Sequence, residues 1–322
     1  MKKALVVGID NYNGKSDLCG CVNDAKAIKE VLIRNEDQSK NFDVQLISNN
    51  VTISGLSERI QELFKGDCES AIFYFSGHGH VDNYGKASLV TPDMEYNAMG
   101  IPMDDVLNWA NNSKIKHRII ILDCCFSGSM GNFSGDSTHS SLHDGVTILT
   151  ASKSDEPSIE FGGHGLFTSL LLEALKGGAS DLLGFITPGS IYSYIDKALG
   201  PWEQRPVFKS NVSRFDVIRK VNPLIDNNLL RELPKIFDER NEIKLDPSFE
   251  YTNTEAVDHK IIEPYANEKN VELFKKLQKF NVNGLVKPVG EEHMYFAAMN
   301  SKSCKLTALG KYYRKLAQDE KF

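Results

Sequence analysis

Two short segments carry residue types that could do covalent chemistry. Phe75-Ser76-Gly77-His78-Gly79-His80 closes one apolar run, and Leu122-Asp123-Cys124-Cys125-Phe126-Ser127-Gly128 closes another. A free thiol ionises near pH ~8.5 and needs a neighbouring imidazole to be largely thiolate at neutral pH, so a Cys and a His brought together make a nucleophile and a base. His78 and Cys125 lie 47 residues apart. His80, His139, His143 and His164 lack the Ser-Gly-His-Gly setting, and His164, in a glycine-flanked loop, is expected at the surface. His78, His80, Cys19 and Cys21 include no Cys-x-x-Cys pair, so no metal is expected. With neither a P-loop nor a dinucleotide fingerprint, no cofactor is expected either. Gly162-Gly163-His164-Gly165 ahead of a helix reads only as an anion-tolerant loop.

The elements that must position these groups follow from periodicity. Short apolar runs at 4–7, 43–47, 71–75, 119–122 and 146–150 read as strands. Val22, Ala25, Ile28 and Leu32 recur at helical spacing, as do Leu56, Ile60, Leu63 and Phe64; 167–175 and 188–199 also read as helices, the second with Pro188 in its first turn. Such alternation predicts an α/β fold, a mostly parallel sheet sandwiched by helices. Functional residues in such sheets gather past the carboxyl ends of the strands, where both chemical segments lie.

The pattern changes near Asn222-Pro223. Beyond it, Val271–Phe280 and Thr307–Ala317 look helical, and Leu285–Val289 with Met294–Ala298 reads as a hairpin turning on Gly290-Glu291-Glu292-His293. Residues 223–322 are therefore expected to form a smaller α+β, winged-helix-like domain. The chain of 322 residues has 37 Lys+Arg against 43 Asp+Glu; residues 223–322 hold 16 of each, so the net −6 belongs to residues 1–222. That balance excludes a strongly basic nucleic-acid binder, and the final 42 residues are only mildly basic, with 7 Lys+Arg and 4 Asp+Glu. The amino-terminal apolar run reaches Asp10 too soon for a signal peptide, no stretch suits a membrane span, and six cysteines are too few for a disulfide scaffold. A reducing, cytoplasmic location is expected.

Residues 1–215 resemble the caspase-like cysteine peptidases, and within them the bacterial caspase homologues and metacaspases. The matching pieces are Val7-Gly8-Ile9-Asp10-Asn11-Tyr12, Leu18-Cys19-Gly20-Cys21-Val22-Asn23-Asp24-Ala25, Ser76-Gly77-His78-Gly79, Asp123-Cys124-Cys125-Phe126-Ser127-Gly128, Ala151-Ser152-Lys153-Ser154-Asp155-Glu156, Gly165-Leu166-Phe167-Thr168 and Gln204-Arg205-Pro206-Val207. The resemblance implies a Cys–His dyad of Cys125 and His78, with the backbone N–H groups of Gly79 and Cys125 as oxyanion donors. It selects Cys125, two residues after the Asp; pleat alternation sends Cys124 the other way, into packing. It also divides residues 1–222 into a large-subunit-like part, 1–130, a linker, 129–145, and a small-subunit-like part, 146–215.

Metacaspases cut after Arg or Lys through an acidic S1 pocket, which maps by resemblance onto Cys21, Asp24, Ser76 and Asp123. Cleavage of protein or peptide substrates after Arg, then Lys, is expected. Segments 83–88 and 129–132 lack the aspartates of calcium-activated metacaspases, and Asp82 and Asp93 stand isolated, so no calcium requirement is expected. The 129–145 linker contains no Arg or Lys, which argues against self-processing there. Residues 223–322 are expected to restrain the peptidase as a regulatory, sensor or interaction domain, answering a nucleotide-derived second messenger or a protein activator. Relatives of this kind act in antiviral defence or stress. The alternative is a catalytically silent caspase-like scaffold.

Overall fold

The computed structural model describes residues 1–13, 16–83, 85–94, 100–124, 132–133, 136–151, 160–161, 164–200, 206–255 and 261–322. Cys125, Ser152–Glu156 and Gln204-Arg205 lie outside the described residues. The chain divides into two compact units, Met1–Asn222 and Pro223–Phe322.

In the first unit, strands β1 (Lys2–Gly8), β2 (Phe42–Ser48), β3 (Ser70–Ser76) and β7 (His117–Asp123) alternate with helices α1 (Cys21–Ile33), α2 (Ile53–Leu63) and α3 (Met103–Asn111). Three short strands, β4 (Gly79–Val81), β5 (Ala87–Leu89) and β6 (Ile101–Pro102), form an antiparallel sheet of their own. Helices α4 (Leu166–Glu173) and α5 (Pro188–Leu199) follow. The central sheet has the order β2, β1, β3, β7, Val146–Thr150, Val207–Asn211; every pairing is parallel except the last.

Strands covered on both faces need apolar residues on both, and β3 is buried along its whole length. Leu5, Val7, Phe73, Phe75, Ile120 and Leu122 face a core closed by Leu56, Ile60, Val106 and Leu107 of α2 and α3. Ala4, Val6, Ile72, Tyr74, Ile119 and Ile121 face the opposite core, closed by α1, α4 and α5. This is the expected α/β sandwich, a mostly parallel sheet between two layers of helices. The edge strand Val207–Asn211, half-buried and partly polar, lacks a buried strand's apolar run and escapes periodicity.

In the second unit, the helices Glu268–Val282 and Ala308–Gln318 lie where expected. The expected hairpin is different. Met294–Met299 is a helix burying Met294, Ala297 and Ala298 at helical spacing. Val286–Val289 pairs instead with Ser303–Leu306, which also pairs with Glu242–Lys244 in a three-stranded antiparallel sheet. Cys304 and Leu306 are the apolar side chains that this central strand buries.

Candidate active site

The site begins with register. Gly8, Ser76 and Asp123 lie directly opposite one another at the ends of β1, β3 and β7, on one face of the sheet. Gly8 is obligatory there: a Cβ would stand 2.2 Å from the Cys21 carbonyl oxygen, so only glycine lets the start of α1 settle on the strand ends. Gly20, at φ 114°, offers α1 no side-chain cap. Asp10 supplies one from the β1 loop, its carboxylate accepting the N–H groups of Cys21 (2.8 Å) and Val22 (3.3 Å). One turn into α1, Asp24 is buried beside Ser76.

The two carboxylates share this pocket. A Cβ on Gly165 would lie 3.1 Å from Oδ2 of Asp123 and 3.7 Å from Oδ2 of Asp24. The Ser76 hydroxyl donates to Asp24 Oδ2 at 3.4 Å. Thr168, in the first turn of α4, donates its hydroxyl to Asp123 Oδ2 at 2.6 Å, and the buried Tyr74 hydroxyl lies 2.6 Å from that Thr168 oxygen. Burial pushes Asp123 up to about 6, opposed by Thr168 and reinforced by Asp24. Burial likewise raises Asp24, opposed first by its bond to His164. The Cys21 thiol is pushed up to about 12, chiefly by burial, and is therefore neutral at physiological pH and no rival nucleophile. Asp24, Asp123, Cys21 and Ser76 are thus brought together.

His78 follows β3 and is half-buried. Its backbone N–H donates to the Tyr12 hydroxyl at 2.8 Å, and the two rings meet tilted at 4.7 Å. Gly77 allows this approach, because a Cβ there would be 2.5 Å from the same hydroxyl. His78 Nε2 is 2.6 Å from the Ser16 carbonyl oxygen. A carbonyl only accepts, so Nε2 carries the proton and Nδ1 is the nitrogen able to take one from a thiol. Gly79 starts β4 immediately beyond. Cys124 is buried in the core on the face of Phe75 and Leu122, away from the Gly8–Ser76–Asp123 row.

Other residues take roles their sequence context hides. His164 is not a surface residue: its side chain is 24% exposed, and Nδ1 is 2.5 Å from Asp24 Oδ1. Asp10, Tyr12 and Thr168 stand in segments quoted above without a role, and their partners lie far along the chain. Asp82 and Asp93 hold local structure. Asp82 accepts the Lys86 N–H, while Asp93 accepts the Ile53 N–H that opens α2 and the Thr91 hydroxyl. Among the described residues no group of three or more His, Cys, Asp or Glu is arranged to hold a metal ion, and no helix is long and apolar enough to cross a membrane.

A helix-covered parallel sheet that gathers an anchored histidine and paired carboxylates past its strand ends defines a caspase-like hydrolase. A family model for the caspase domain matches residues 1–217, and the chain belongs to this family of cysteine peptidases. Metacaspase-1 of Plasmodium falciparum (isolate 3D7) is 31% identical over 152 residues, 40% of this chain and 24% of that protein. Metacaspase-2 of Arabidopsis thaliana is 26% identical over 152 residues, 40% of this chain and 35% of that protein. The chain thus matches about a third or less of the length of these two relatives. The crystal structure of caspase-1 from Spodoptera frugiperda aligns with 68% of this chain and 90% of its own, at 16% identity and a TM-score of 0.49.

Proposed function

We propose that the protein is a cysteine endopeptidase cleaving after Arg and, less readily, Lys. The observation that carries the specificity is the pair Asp24 and Asp123 converging on Gly165 at the strand ends. Two carboxylates in one partly desolvated pocket attract a guanidinium strongly, and its planar fork of donors suits them better than the compact ammonium of Lys.

In the proposed reaction His78 takes the Cys125 thiol proton at Nδ1, and the thiolate attacks the scissile carbonyl. The oxyanion is held by the N–H groups of Gly79 and Cys125. Collapse to the thioester breaks the C–N bond as the imidazolium returns its proton to the leaving amine. Water, deprotonated by His78, then hydrolyses the thioester and releases the acid and the thiol. The Ser16 carbonyl supports the imidazolium by holding Nε2–H throughout.

Calcium independence is part of the proposal, supported by the structural duties of Asp82 and Asp93. So is control through residues 223–322 by a nucleotide-derived messenger or a protein activator, in a cytoplasmic defence or stress effector.

The test compares wild type with Cys125→Ala on peptides ending in Arg, Lys or Asp, with and without calcium, and after addition of a panel of cyclic nucleotides. Cys125-dependent release after Arg is expected. Release after Asp would overturn the pocket assignment, and equal behaviour of the two proteins under every condition would favour the silent scaffold.

A further inference from the structure

His164 is a titratable side chain at the acidic pocket that this reaction does not use. It sits on a two-residue strand, His164–Gly165, paired antiparallel with Glu160–Phe161 just ahead of α4. Its Nδ1 holds Asp24 Oδ1 at 2.5 Å, and its Nε2 lies 3.5 Å from Asn23 Nδ2. The other contacts of the Asp24 carboxylate are long: Ser76 Oγ at 3.4 Å and the Gly165 N–H at 3.5 Å, both to Oδ2. His164 is therefore the principal partner of Asp24. It stands against the carboxylate that the proposed reading reserves for a substrate cation.

We propose that His164 is a specificity-determining residue of the S1 pocket: it occupies Asp24 in the substrate-free enzyme, yields to a cationic P1 side chain, and stands against a neutral one. The inference rests on the S1 assignment above. A guanidinium that replaces the imidazole gives Asp24 a new donor in its place, so the exchange leaves no buried carboxylate alone. A neutral P1 side chain has no charge to offer. Displacing His164 for it strands a side chain only 3% exposed, and leaving His164 in place blocks the space. Discrimination here comes from a resident competitor as much as from attraction. Its cost is weaker binding of the basic substrate, because each P1 cation first breaks the bond between His164 and Asp24.

Kinetics with P1 Arg, Lys and Gln peptides on wild type, His164→Ala, His164→Gln, Asp24→Asn and Asp123→Asn test this. Each P1 cation must break the bond between His164 and Asp24, so His164→Ala is expected to lower KM for the Arg peptide about tenfold or more with kcat little changed. It should also open cleavage after Gln. His164→Gln, which keeps a neutral donor near Asp24, should fall between the two and guards against a folding defect in the Ala variant. Calorimetric titration of each uncut full-length protein with benzamidine reads the same pocket without turnover, and binding about tenfold tighter in His164→Ala is expected. A higher or unchanged KM and weaker or unchanged benzamidine binding in His164→Ala would overturn the inference and make His164 a support for Asp24. If Asp24→Asn and Asp123→Asn leave Arg cleavage and benzamidine binding intact, the S1 assignment itself fails.

Discussion

Asp123→Asn should make the protein more stable and less active at once. In the folded chain the Asp123 carboxyl stands at about 6 against an ordinary 3.8, because burial and the Asp24 charge together outweigh the Thr168 bonds. Each pH unit of such displacement corresponds to ~1.4 kcal/mol, so ionising Asp123 costs the folded state about 3 kcal/mol at neutral pH. Between 3.8 and about 6 the folded chain holds a proton that the unfolded chain has released. Stability therefore falls as pH rises through that window, and the full penalty stands above it. The carboxamide oxygen of Asn can still accept the Thr168 hydroxyl, so the substitution removes the charge and keeps the bond.

Thermal unfolding followed by circular dichroism from pH 4 to 8 at constant ionic strength reads the difference. For a unit of this size about 3 kcal/mol corresponds to a rise in Tm of roughly 6–12 °C. Asp123→Asn should melt that much higher at pH 8 and together with wild type near pH 4. Its cleavage after Arg should be lost, since half the pocket's charge is gone. Equal melting at pH 8, or a gap that does not vary with pH, would refute the ionisation argument and leave packing as the cause.

Thr168→Val keeps the shape of the side chain and removes the hydroxyl that favours ionised Asp123; the acidic limb of activity on an Arg peptide should move to higher pH. Tyr12→Phe leaves the His78 N–H without its acceptor and should cost ~1–2 kcal/mol in urea unfolding, with kcat falling and KM unchanged. Asp10→Ala removes both N–H bonds at the start of α1, so a loss of ~1–2 kcal/mol in the same assay is expected, along with a raised KM for Arg peptides as Asp24 loses its placement. Gly8→Ala drives a Cβ to within 2.2 Å of the Cys21 carbonyl oxygen and should abolish soluble expression or cleavage after Arg.

Four of the five parallel strands were legible because burial on both faces forces continuous apolar runs, while the edge strand β2 alternates Phe42, Val44 and Leu46 with polar residues; the end of β3 drew attention to His78. Helix α3 and the short strands β4 to β6 left weaker marks, as the edge strand Val207–Asn211 did. Met294–Ala298 misled because a short apolar run carries no decisive period; its burial at Met294, Ala297 and Ala298 is helical, while the true partner strand, Ser303–Leu306, includes two polar residues. Asp24 and Asp123 came from family resemblance, since 99 positions separate them and no local rule relates them. His164 stands 140 positions from Asp24 and Tyr12 66 from His78. Such pairs exist only once the register of β1, β3 and β7 has been set.

That register also bears on why the acids are there. A structural ion-pair network holds its carboxylates below their ordinary values, because each finds more partners folded than unfolded. Here both are raised: burial outweighs His164 at Asp24, and burial with a neighbouring like charge outweighs Thr168 at Asp123. The pair therefore weakens the substrate-free fold at neutral pH. On the proposed reading, a basic side chain that displaces His164 and enters between them reverses the sign of their mutual effect, and the cost of holding the two acids together becomes affinity for it. A purely structural pair would have no such use, and Asn at either position would serve the fold better.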